Sequence, residues 1–127
     1  MQSILIVEDD PSMREMLTTV LKGRGYEVQQ AENGTQALSL LETSYFDLVV
    51  TDLLMPESDG IELLMSLRDH YPPLRMIAIT GARRVSSALL PITERLGATT
   101  TLQKPFGMDE FTKAVEEALE TAPEGIS

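Results

Sequence analysis

Short, branched apolar runs alternate along this chain with stretches whose apolar positions recur every three or four residues. Residues 3–7 (SILIV) form the first run and suit a strand buried on both faces. Asp10 and Pro11 follow. Asp is a strong N-cap and Pro is favoured at the first helical position. Met13, Met16, Leu17, Val20 and Leu21 then keep helical spacing, and Gly23 and Gly25 end that helix. Residues 26–31 read as a second, weaker strand. Asn33-Gly34 is a turn or cap, and Ala37, Leu38, Leu40 and Leu41 mark a short second helix. Residues 46–51 are another buried strand, and 56–60 a loop. Ile61, Leu63, Leu64 and Leu67 give a third helix, closed before Pro72-Pro73. Residues 75–80 make a fourth strand and 86–96 a fourth helix ended by Gly97. Residues 99–103 make a fifth strand and 106–119 an amphipathic last helix.

The pattern is β-α repeated five times. Strict alternation implies a parallel sheet with helices on both faces, joined by right-handed crossovers. No linker, repeat or low-complexity segment interrupts it. One domain is expected over residues 1–121, with 122–127 as a flexible tail and no output domain.

Composition agrees with a single conventional core: 127 residues, 43% of them hydrophobic. The formal net charge of −10 changes the picture more. Such a surface repels nucleic-acid phosphates and anionic lipid, so neither nucleic acid nor membrane is expected as a direct partner. Cysteine is absent, which removes disulfides, thiolate metal sites and cysteine nucleophiles together and suits a cytoplasmic setting. The N-terminal residues run straight into a strand pattern and do not read as a signal peptide. No apolar run approaches the ~18 residues of a transmembrane helix.

In open parallel sheets, ligands bind outside the carboxyl ends of the strands. The first strand delivers Glu8, Asp9 and Asp10 there. The third delivers Asp52, followed by Leu53, Leu54, Met55 and Pro56. The fourth delivers Thr80, Gly81 and Ala82, and the fifth Lys104, Pro105 and Phe106. Carboxylates crowded at one sheet edge repel, and a divalent cation relieves the repulsion. Oxygen ligands without His or Cys suit a hard ion such as Mg²⁺. A carboxylate beside such an ion can act as a nucleophile toward phosphorus and form an aspartyl phosphate. The transferring group needs positive or donor partners, which Lys104 and the Thr80 hydroxyl can supply beside the ion.

These residues resemble the receiver domains of two-component response regulators. The likeness rests on ILIVED at 4–9, DLVVTDLLMPESDG at 47–60, ITGA at 79–82, LGA at 96–98 and QKPF at 103–106. Each motif alone is weak; their joint order and spacing are specific and cover nearly the whole chain. The resemblance implies a flavodoxin-like, doubly wound (βα)5 fold with a five-stranded parallel sheet in the order 2-1-3-4-5. It implies Asp52 as phosphoacceptor and Glu8 and Asp9 as the acidic pair. Leu54 would offer its backbone carbonyl to Mg²⁺, with Thr80 as the switch hydroxyl and Lys104 as the partner lysine. The phosphodonor would be a histidine kinase or histidine phosphotransfer protein, and the output a change of protein-protein contacts, as in a chemotaxis-type single domain. It also implies a cis Lys104–Pro105 peptide. Asp10 falls one place after the acidic pair and is assigned to capping. Two departures stand out. The family's usual aromatic three residues before the lysine is Thr101 here, and Pro91 lies inside the expected fourth helix, where proline removes a backbone donor.

Each residue has an ordinary reading when taken alone. Asp52 could cap a loop, Glu8-Asp9-Asp10 could be a solvated turn, Thr80 a strand threonine and Lys104 a surface lysine. Their convergence at one sheet edge favours the chemical reading. His70 reads as a cation near a helix C-terminus, the methionines as core filler, and Glu116, Glu117 and Glu120 as a solvated helix face. Three other functions compete. An aspartate-nucleophile phosphatase of the haloacid dehalogenase type needs a second acid two residues after the nucleophile, where Leu54 stands. A flavodoxin-like FMN carrier needs a phosphate cradle after the first strand, where acids stand. A degenerate receiver would act as a phosphorylation-independent interaction module, a reading that the complete acidic set opposes. The expectation is thus a phosphoacceptor and not a turnover enzyme.

Overall fold

The computed structural model describes residues 2–52, 75–80, 100–103 and 105–120. The expected third and fourth helices with Pro91 and His70, the Leu54 carbonyl, Lys104 with its peptide to Pro105, and the tail lie outside the described residues. In chain order the described elements are β1 (Ser3–Val7), α1 (Pro11–Gly23), β2 (Glu27–Ala31), α2 (Gly34–Thr43), β3 (Leu48–Asp52), β4 (Arg75–Thr80), β5 (Thr100–Gln103) and α3 (Met108–Glu120). The strands form one sheet in the order β2-β1-β3-β4-β5, and every neighbouring pair is parallel. This is the doubly wound arrangement expected above. The order reverses between β1 and β3, so a crevice opens at the carboxyl ends of those two strands.

Successive strand side chains point to opposite faces, and both faces are covered. Ile4, Ile6, Leu48, Val50, Ile77 and Ile79 pack with Leu17 and Leu21 of α1 and with Phe111 and Val115 of α3. Leu5, Val7, Val49, Met76 and Ala78 pack on the other side with Ala37 and Leu41 of α2 and with Phe46. That is why β1, β3 and β4 read as largely apolar runs, whereas β2 at the sheet edge does not. Each fully buried Leu, Ile or Phe contributes about 1.5–3 kcal/mol of transfer free energy.

Local chemistry sets the ends of these elements. Asp10 caps α1, its carboxylate accepting the Ser12 N–H at 3.1 Å, with Pro11 in the first turn. Asn33 caps α2 by accepting the Gln36 N–H at 2.8 Å. After α1 the chain turns through Gly25 at φ +94°, a conformation that suits a residue without Cβ. The Tyr26 N–H donates back to the Leu21 carbonyl at 3.2 Å. Tyr26 therefore closes α1, and β2 begins at Glu27, one residue later than the apolar pattern suggests. Asp47 clamps the start of β3 to β1. Its carboxylate accepts the Ser3 N–H at 2.8 Å, and its own N–H donates to the Ser3 carbonyl at 2.8 Å. This clamp explains why β3 starts at Leu48 although Phe46 is already buried. At the other end of the chain, Phe106 lies ahead of α3 and stacks on Phe111, with ring centroids 5.9 Å apart.

Candidate functional site

β1 and β3 pair in register, Ile4 with Leu48 through to Val7 with Thr51. One further step places Glu8 beside Asp52, at the carboxyl edge where the strand order reverses. One carboxylate oxygen each from Glu8, Asp9 and Asp52 lies within 4.8 Å of the others. Glu8 is 1% exposed and Asp52 4% exposed, whereas Asp9 is exposed. The cluster thus has two buried walls and one side open to solvent.

Glu8 is fixed through its main chain as well as its side chain. Its N–H donates to the Ala31 carbonyl at 3.1 Å, extending the β1–β2 ladder by one step. Its carbonyl accepts from Arg14 Nη1 at 2.9 Å, and its Oε2 accepts the Asp10 N–H at 3.2 Å. On β3 the fully buried Thr51 donates its hydroxyl to the Asp52 carbonyl at 3.1 Å. The chain segment carrying each acid is therefore held by short, directional bonds.

The donor set fits a metal ion. Three carboxylates so close repel one another, and a dication held between them relieves that repulsion. Hard oxygen donors, with neither His nor Cys among them, match a hard divalent cation. The structure brings together three of the residues singled out in the sequence and places Asp10 at the cap of α1 instead, as the sequence suggested. Thr80 closes β4, and the register that pairs Asp52 with Ile79 puts its backbone one step beyond the level of Asp52 on the adjacent strand. The side chains of Thr80 and Thr101 are not among the described atoms, and Leu54 and Lys104 lie outside the described residues.

The sequence reading passed over Arg14, Asp47 and Thr51. Asp47 and Thr51 flank an apolar run in a way that many strands share, so only the fold shows what they bond. Arg14 left a clearer signal: a lone basic residue in the first turn after three consecutive acids. Among the described residues, no helix is long and apolar enough to cross a membrane.

Residues 4–116 match the model of the response regulator receiver domain. The chain belongs to this family. The receiver is 37% identical over 119 residues to the response regulator receiver protein CpdR of Brucella abortus (strain 2308), covering 94% of this chain and 98% of that protein. It is 36% identical over 118 residues to the sporulation initiation phosphotransferase F of Bacillus subtilis (strain 168), covering 93% and 94%. Other curated relatives are longer, and the receiver spans about a quarter of their length. Among solved structures, it superimposes on the response regulator TrrA of Thermotoga maritima in complex with Mg²⁺–BeF with a TM-score of 0.82. The identity there is 32%, covering 93% of this chain and 99% of that one.

Proposed function

We propose that this receiver takes a phosphoryl group onto Asp52 in a Mg²⁺-dependent reaction, from a histidine kinase or a histidine phosphotransfer protein, and signals by changing its protein contacts. The observation that carries this reading is the convergence of Glu8, Asp9 and Asp52 oxygens within 4.8 Å at the β1/β3 edge. That the TrrA structure is a complex with Mg²⁺–BeF supports the choice of metal. A cytoplasmic setting fits the cysteine-free sequence.

Glu8, Asp9 and Asp52 would hold the ion, with the Leu54 carbonyl as a further ligand. When bound, the ion supplies positive charge against the oxygens of the transferring group. An Asp52 oxygen attacks phosphorus, a new O–P bond forms, and the P–N bond to the donor imidazole breaks. The electron pair of that bond leaves with the imidazole nitrogen. Thr80 is the last residue of β4 and Lys104 the first after β5; the hydroxyl and the ammonium would stabilise the phosphoryl oxygens. Burial of Asp52 limits the approach of water to the acyl phosphate on all but the open side. The complete set of acids favours a phosphoacceptor over a phosphorylation-independent interaction module, and Leu54 in place of a second acid favours it over a turnover phosphatase.

Incubation with acetyl phosphate and Mg²⁺ followed by intact-mass measurement tests the reading. The wild type gains the mass of one phosphoryl group, and Asp52→Asn gains none. Equal labelling of that variant would overturn the assignment.

A further inference from the structure

Arg14 is a cation set into an acidic corner, yet it does not join the acidic cluster. Its side chain is 14% exposed, and its guanidinium spends its donors on three separate segments. Nη1 donates to the Glu8 carbonyl at 2.9 Å, Nε donates to Gln30 Oε1 on β2 at 3.2 Å, and Nη2 lies 3.9 Å from Glu32 Oε1 beyond β2. The backbone of Arg14 is fixed in the first turn of α1, where its N–H donates to the Asp10 carbonyl at 2.9 Å.

The Glu8 carbonyl sits where the sheet runs out. β2 ends at Ala31, and the last ladder bond is the one that the Glu8 N–H makes to the Ala31 carbonyl. One step further along the ladder, the donor is a side chain from α1 in place of a strand N–H. A planar, forked guanidinium suits this position because one rigid group reaches several acceptors in fixed directions. The peptide so held joins Glu8 to Asp9, and both acids belong to the cluster.

We infer that Arg14 is a positioning residue for the metal site: by binding the Glu8 carbonyl and anchoring to Gln30 and Glu32, it fixes the Glu8–Asp9 peptide and so presents both carboxylates to the ion. The inference rests on the reading of this edge as a divalent-cation site. Two effects of removing Arg14 have opposite signs. Loss of a positive charge near three carboxylates would by itself tighten cation binding, whereas loss of the peptide's orientation loosens it. Second-tier contacts of this kind affect metal affinity by roughly 10-fold or more, so orientation is the larger effect.

Calorimetric titration of Mg²⁺ into the full metal-free chain measures this directly. Arg14→Met keeps the aliphatic stem and removes the fork; its Mg²⁺ dissociation constant rises by roughly 10-fold. Arg14→Lys keeps the charge and one donor and recovers part of that loss. Amide exchange in the metal-free state adds a readout independent of the ion, with Glu8 and Asp9 exchanging faster in Arg14→Met. Arg24→Met serves as the control, since it removes a guanidinium paired with Glu116 at the far end of α1 and leaves Mg²⁺ affinity unchanged. Should Arg14→Met fail to fold, the Lys variant carries the test, with affinity below wild type. Unchanged or tighter Mg²⁺ binding in the folded variants overturns the inference. Absence of Mg²⁺ binding by the wild type itself overturns the metal-site reading beneath it.

Discussion

At Tyr26, where α1 hands over to β2, burial pushes the phenol pKa above its ordinary value of 10.0; Glu116 and Glu120 push it further, and Arg24 opposes them. The folded chain thus holds the phenolic proton more tightly than the unfolded chain does. The stabilisation is complete below the unfolded pKa, about pH 10, and is lost as pH rises through the higher folded value. Thermal melts between about pH 9 and pH 11 should therefore fall less steeply for Tyr26→Phe than for wild type. Asp10 offers a second residue-scale test, because its neighbours Glu8 and Asp9 have a different job. Asp10→Ala removes the α1 cap and costs about 1 kcal/mol in urea denaturation, yet calorimetry should show far less loss of Mg²⁺ affinity than Asp9→Ala causes. Glu8, Asp9 and Asp52 were legible in the sequence because each follows an apolar run whose strand character is plain. Arg14 was not, since its three acceptors come from segments up to eighteen residues away along the chain (Gln30 and Glu32), and only packing brings them to its side chain.

Between α1 and β2, the turn depends on Gly25. Its φ of +94° is one that side chains disfavour, while the space around a Cβ built there is open, with no heavy atom within 4 Å. Gly25→Ala therefore carries a backbone cost alone, about 1 kcal/mol, and equilibrium urea denaturation should show that loss with an unchanged m-value. Strand identities were readable from runs such as ILIV and LVV because both sheet faces are covered, so successive positions are apolar. Element ends were read less closely. Tyr26 and Phe46 have strand-like side chains, but the Tyr26 N–H belongs to the closing turn of α1, and the chain is first tied to β1 at Asp47, just before Leu48. Phe106 likewise looks like the first apolar position of the last helix and instead stacks on Phe111 from outside it. In each case a hydrogen bond or ring contact made after folding sets the boundary, and periodicity carries no record of it.

For the molecule as a whole, the net charge of −10 sets the response to ions. Monovalent salt screens general self-repulsion, whereas a dication bound at the acidic edge couples directly to folding. Mg²⁺ at 100 times its dissociation constant should add about 2.7 kcal/mol, a rise in melting temperature on the order of 10 °C for a domain of this size. Sodium chloride of equal ionic strength should add much less, and Asp52→Asn should lose most of the Mg²⁺-specific increment in the same calorimetric scan. The strand order was accessible from the motifs, since their spacing resembles one family whose sheet is ordered this way. The covering of both faces followed from alternation alone.

Asp52 ends β3, the middle strand of five, which runs between two paired neighbours and carries packed side chains on both faces. All five residues of β3 are buried, Asp52 among them. A close-packed interior yields little, so a phosphoryl group added there, as proposed, would leave the strands themselves nearly unchanged. Under that proposal, the difference between the two forms would lie around the sheet and not within it.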